Sequence, residues 1–351
     1  MALAMVLPVS GIASIDGVDV AFSAARSLGR GISLGNMLEA PHEGQWGARL
    51  HPDLFALVKE AGFDTVRLPV RWSNHAEQGR PYRIDEGFFQ RVDFAIAEAL
   101  RHDLNIVVNM HHYRQLDGDP LQEGEMAVED SVLEERFVAM WAQIAQRYRS
   151  HAADKLFFEL YNEPHGRLKP QVWNALLRKA LQAVRETNPE RFVVIGPAEH
   201  YRVRGLPTLS LPSTDRRIIV AIALYEPYGF THQGAPWVDG SSAWLGTRCC
   251  TSEQHREIQG ALDAAQAWAR EHSRPMWIGE FGSHEKADYN SRVAYTRMVR
   301  KEIEARGMSW AYWQLTSNFG IFRLDRGTWY TALKEALLGR GDPYPESYPG
   351  P

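Results

Sequence analysis

Cysteine is almost absent from this chain: the 351 residues include two, the neighbours Cys249 and Cys250. A bridge between adjacent residues is strained and would be unusual, so neither a disulfide framework nor a cysteine-based zinc site is expected. An excess of positive charge is missing as well. Lys and Arg number 39 against 43 Asp and Glu, a net charge of −4, which offers nucleic acid and anionic membranes no electrostatic handle. No apolar run nears the roughly 20 residues of a membrane helix. Residues 1–15 are apolar without a basic leading segment, which makes a poor signal peptide; they read equally well as a small β-hairpin turning at Asp16-Gly17. Low-complexity linkers are absent, so a second module is not expected. There is no glycine-rich phosphate loop, because Gly29-Arg30-Gly31 lacks the third glycine at the required spacing. No His-x-His or helical metal-ligand motif occurs. A metal-dependent hydrolase would have to draw on His111, His112, His200 and His232, and an adjacent histidine pair cannot easily face one ion. The expectation is therefore no metal and no cofactor, with chelators giving the test.

What the chain does have is apolar bulk and rings: 44% of residues are hydrophobic, with 11 Trp, 13 Tyr and 14 Phe. Short apolar runs alternate with longer amphipathic stretches. The runs are 31–34, 65–68, 105–110, 156–161, 192–196, 218–224, 276–280 and 310–314. Continuous apolar character over so few residues fits parallel strands buried on both faces. Helical periodicity marks 52–61, 86–102, 129–148, 171–187, 253–272, 290–306 and 330–338, while the connection between the fifth and sixth strands is poor in it. Eight strands alternating with about seven helices indicate an α/β fold, a single-domain (β/α)8 TIM barrel. The expected division is an N-terminal extension or hairpin over 1–25, the barrel over 26–340 and a tail over 341–351.

Barrel enzymes gather their chemistry at the C-terminal ends of the strands, and polar residues collect there. The second strand carries Arg67 and the third runs into Asn109-Met110-His111-His112-Tyr113. The fourth ends in Tyr161-Asn162-Glu163-Pro164, the sixth in Tyr225-Glu226-Pro227, the seventh in Gly279-Glu280-Phe281-Gly282, and the eighth contains Tyr312-Trp313-Gln314. A carboxylate directly after an apolar strand is costly unless it is paired or open to the barrel mouth. Two of them, one to be protonated and one ionised, suit glycosidic cleavage.

These segments resemble glycoside hydrolase family 5, the cellulase family, over nearly the whole chain from Leu28 to about Leu338. The resemblance rests on Leu28 to Asn36, Val66-Arg67-Leu68-Pro69, Asn162-Glu163-Pro164, Tyr225-Glu226-Pro227 with Phe230-Thr231-His232-Gln233-Gly234-Ala235, and Gly279-Glu280-Phe281-Gly282. It implies Glu163 as general acid/base and Glu280 as nucleophile of a retaining, endo-acting β-1,4-glucanase. Asn162 would bond the sugar 2-hydroxyl, and Arg67 and Tyr225 would hold Glu280 ionised. His111 would line the cleavage subsite, His112 would be its neighbour, and Trp313 would form the aromatic floor. Asn36, Trp237 and Trp244 are candidates for further sugar contacts. The implied partner is a polysaccharide or oligosaccharide bound by a monomer, and such a substrate favours a secreted enzyme. Mannan, xyloglucan and mixed-linkage glucan are the alternative substrates.

Two positions depart from the family pattern. Ser33 stands where Asn is usual, and Ala223 stands where the family has His two residues before the sixth-strand tyrosine. An inward imidazole at 223 would be expected to raise kcat/KM, unless His200 or His232 already fills the gap. Without either, a weakly active carbohydrate-binding barrel is the alternative.

Overall fold

A computed structural model describes residues 17–339; the apolar start and the tail expected over 341–351 lie outside the described residues. Eight parallel strands close into one barrel in sequence order. They are β1 Arg30–Ser33, β2 Thr65–Leu68, β3 Asn105–Asn109, β4 Leu156–Glu159, β5 Val193–Ile195, β6 Ile218–Leu224, β7 Met276–Phe281 and β8 Ser309–Tyr312. Each begins or ends within about two residues of the apolar run that announced it. Helices Asp53–Ala61, Glu86–Arg101, Leu133–Tyr148, Pro170–Arg185, Ser252–His272, Tyr289–Ala305 and Thr331–Leu338 form the outer ring. Between β5 and β6 the chain makes only a 3-10 segment, Val203–Thr208.

Side chains alternate along a strand, and the barrel sorts them into two layers. One set, including Ile32, Val66, Ile106, Val108, Phe158, Ile222, Ile278 and Trp310, packs outward against the helices. The other set points inward: Val107, Phe157, Val194, Ile219, Ala221, Ala223, Trp277 and Ala311. That interior layer also holds Ala21, Ala24, Ala25 and Leu28, which belong to or directly follow a helix at Gly17–Ser27.

The hairpin expected over 1–15, with its turn at Asp16-Gly17, lies outside the described residues, and from Gly17 the chain is helical. The reason lies in the spacing of 21, 24, 25 and 28, an i, i+3, i+4, i+7 stripe of small apolar residues. Its C-terminal end is tied to the first residues of three strands. The Thr65 hydroxyl donates to Leu28 O at 2.5 Å, Asn105 Nδ2 to Ser27 O at 2.6 Å, and the Ser309 hydroxyl to Arg26 O at 3.4 Å. The helix therefore closes the N-terminal end of the barrel and leaves the opposite mouth open. The boundary expected at 25/26 falls inside it.

Cys249 and Cys250, for which a bridge would be unusual, are joined by a disulfide across a cis peptide.

Candidate active site

Arg67 points into the barrel from β2 and is completely buried. A guanidinium there must find acceptors on every side. It forks onto Glu159 at the end of β4, with Nε to Oε2 and Nη2 to Oε1 both at 2.7 Å. Its Nη2 also reaches Asn162 Oδ1 at 2.8 Å, and its Nη1 reaches Glu280 Oε1 at 2.5 Å. The second oxygen of Glu280 accepts from the Tyr225 hydroxyl at 2.8 Å. One cation thus fixes two carboxylates and the asparagine beside Glu163. The charges of Glu159 and Glu280 hold Arg67 well above its ordinary value, against the effect of its burial.

How Glu280 comes to face inward is a matter of register. Trp277 points into the barrel and Ile278 out of it, so strict alternation would turn Glu280 outward. Between β6 and β7 the pairing steps from Ile222↔Ile278 to Ala223↔Glu280, which leaves Gly279 as one extra residue. A bulge of this kind re-aims the side chain after it. Glu280 enters the mouth beside Ala223, and Phe281 returns to the outer layer. Burial pushes the Glu280 pKa up to about 7; Arg67 pulls it down, the nearby Glu163 charge pushes it up, and the bonds from Tyr225 and Arg67 lower it.

Glu163 follows β4 in a left-handed conformation, φ 49°, and its side chain is about a quarter exposed (26%). His200 Nδ1 stands 3.8 Å from its Oε2. The neighbouring His165 ring contacts Glu163 O through Nδ1 at 2.7 Å and Asp119 Oδ2 through Nε2 at 3.3 Å. Glu199, His200 and Tyr201 all have positive φ, 64°, 61° and 56°. Non-glycine residues pay of the order of 1–3 kcal/mol each for this region and keep it only where their surroundings enforce it.

His111 is buried, and burial, with His112 and Arg67 beside it, holds its pKa well below the usual histidine range, so the ring is neutral. It stacks on Trp313, ring centres 5.1 Å apart and planes within 2°. His112 meets His111 edge-on at 4.7 Å, and Trp46 at 6.1 Å on its other flank. Asn36, also left-handed, accepts from Gln314 Nε2 at 3.1 Å, next to Trp313. Trp237 is 56% exposed and lies against Phe319 and His284. Phe319 in turn meets Tyr225 at 6.1 Å. Trp244 sits farther along the same loop, edge-on to Tyr228 at 5.9 Å.

The structure therefore gathers Arg67, His111, Asn162, Glu163, Tyr225, Glu280 and Trp313 about one mouth, with His112 and Asn36 at its flank and Trp237 at its rim. Sequence reasoning missed Glu159, Trp46 and Tyr228. Glu159 carried a signal, being a lone carboxylate in the apolar run 156–161. Among the described residues no group of three or more His, Cys, Asp or Glu is arranged to hold a metal.

Paired carboxylates on separate strands of one barrel mouth are the equipment of glycoside cleavage, and the fold and site together define a barrel glycoside hydrolase. Comparison with known families narrows the class. Residues 30–319 match the model of Cellulase (glycosyl hydrolase family 5), and the chain belongs to that family. Among solved structures, Thermotoga maritima Cel5A in complex with mannotriose is 42% identical, with a TM-score of 0.86 over 90% of this chain and 99% of that one. The same protein in complex with cellobiose is 43% identical at a TM-score of 0.85, again over 90% and 99%. Endoglucanase H of Acetivibrio thermocellus is 31% identical over 326 residues, which is 91% of this chain and 34% of that protein. The chain thus spans about a third of the length of that relative.

Proposed function

We propose that this protein cleaves internal β-1,4-glucosidic bonds by double displacement. The observation that carries the reading is the grip of Arg67 and Tyr225 on the two oxygens of Glu280, beside a second glutamate that is partly open to solvent. Arg67 Nη1 and the Tyr225 hydroxyl orient the Glu280 carboxylate and favour its ionised form. Glu280 attacks the anomeric carbon while Glu163 gives its proton to the departing glycosidic oxygen. The bond to the leaving sugar breaks, and a glycosyl ester forms on Glu280. Glu163, now ionised, takes a proton from water, and the resulting oxygen displaces Glu280 from the anomeric carbon. Two inversions give net retention. Carboxyl groups about 5–5.5 Å apart would leave no room for a water in the first step.

Asn162, held by Arg67 through its Oδ1, has its amide nitrogen left for the sugar 2-hydroxyl. The parallel His111–Trp313 stack gives the apolar face of a glucose ring a flat floor. Cellobiose bound to the Thermotoga maritima relative and the endoglucanase name of the Acetivibrio thermocellus relative support glucan as the substrate.

The test is a panel of cellulose, barley glucan, xyloglucan and mannan, with proton NMR of the first product. A β-anomer released from the interior of cellulose chains is expected. An α-anomer would overturn retention, and turnover of mannan alone would overturn the substrate.

A further inference from the structure

The family pattern places an imidazole at the position of Ala223, and here that position carries only a methyl group. Ala223 pairs in register with Glu280 and is buried in the barrel interior. What lies along it is the left-handed turn 199–201: Ala223 N donates to Tyr201 O at 3.0 Å. The Tyr201 ring belongs to the same buried cluster as Ala223, and its hydroxyl donates to Tyr161 O, two residues before Glu163. The turn is also bonded to the loop that bears the acid, since His200 N donates to Pro164 O at 3.3 Å. The His200 ring stacks on His165 at 4.2 Å, with planes within 19°, and presents Nδ1 to Glu163 Oε2.

We propose that this turn supplies what the sixth strand lacks, with His200 acting as a positioning residue that orients the Glu163 carboxyl toward the leaving-group oxygen. The proposal rests on Glu163 being the acid/base. The arrangement is built rather than incidental. Three successive residues adopt a conformation that L side chains avoid, and two of them, His200 and Tyr201, are bonded to the segment that bears Glu163. Tyr201 anchors the turn from below, Pro164 O fixes its middle, and His165 braces the ring from the side. His232, the other histidine near the gap, turns its Nδ1 to the Thr231 hydroxyl at 3.0 Å and packs against Tyr225 and Tyr228.

The experiment compares kcat/KM for cellopentaose, whose leaving sugar needs a proton, with that for dinitrophenyl cellobioside, whose leaving group does not. His200→Ala and His200→Phe are expected to lose about tenfold or more on cellopentaose and less than about twofold on the aryl substrate. His200→Phe keeps a ring for the stack, so its loss isolates the nitrogen. His200→Asn, which tolerates positive φ and retains a side-chain amide, should recover most of the rate and keeps the test open if the other variants fold poorly. Equal losses on both substrates, or no loss on either, would overturn the proposal. Glu163→Ala measured alongside separates the two readings. If it shows no leaving-group dependence, the acid/base assignment fails; if it does and the His200 variants do not, only this inference fails.

Discussion

Buried charge sets the behaviour of individual residues here. Arg67 is bonded to Glu159 and Glu280 at once, so Arg67→Met leaves two buried carboxylates without a cation. Breaking such a network by removing one partner costs about 3–5 kcal/mol; chemical denaturation should show a loss of that size, together with loss of turnover. Glu280→Gln keeps the size of the side chain and should abolish turnover with little change in melting temperature. The pH profile follows from the same geometry. Attack requires ionised Glu280, so kcat/KM falls as pH drops through its raised pKa, and the charge of Glu163 contributes to that rise. Glu163→Gln removes the contribution, and the acidic limb should then move to lower pH on an activated aryl glycoside. A limb that stayed put, or moved up, would mean the two carboxylates do not sense each other. Ala223→His introduces an imidazole into the layer where Tyr201 already packs, while His200 stands beside Glu163. We expect kcat/KM to stay the same or fall, and a rise would show that the histidine missing from the sixth strand is still wanted.

Elements show why some of this was legible in sequence and some was not. Strand positions were, because a barrel strand is apolar on both faces and cannot be mistaken for a surface. Glu163 and Glu280 were, because a carboxylate after such a run needs a reason. The Gly279 bulge was not: period-2 alternation turns Glu280 the wrong way, and only the β6–β7 pairing reveals the extra residue. His200 could be named as a candidate for the gap at Ala223, but not preferred to His232, since no propensity announces the three left-handed residues at Glu199-His200-Tyr201 that bring it to Glu163. The helix Gly17–Ser27 was readable in principle, but its stripe is alanine and carries little hydropathy. Ala24 is 5% exposed in the interior layer. Ala24→Asp buries an unpaired carboxylate at the closed end of the barrel, and a loss of about 2–4 kcal/mol in thermal unfolding is expected. Because the mouth lies at the other end, KM at 25 °C should not change; a large shift in KM would mean that the two ends are coupled.

At the scale of the whole molecule, a helix caps one end of the barrel and aromatic rings stand along the rim of the other. Trp237, Phe319 and Tyr225 form a continuous path from solvent to Glu280. A sugar stacked on Trp237 would extend the bound chain beyond the cleavage point. Trp237→Ala in the Glu280→Gln background should therefore weaken cellotetraose binding by about 1 kcal/mol, roughly fivefold in Kd by calorimetry. An unchanged Kd would mean that the ring only packs its loop. The helix at the capped end carries a different consequence, one of timing. On the ribosome it is made before the barrel strands, yet it packs against β6 and β8, the sixth and the last strand of the barrel. A helix made before the barrel strands is thus among the last elements of the barrel to be satisfied. A nascent chain stopped short of Ser309 has no β8 to close on, and its alanine stripe stays partly unburied until that strand has been made.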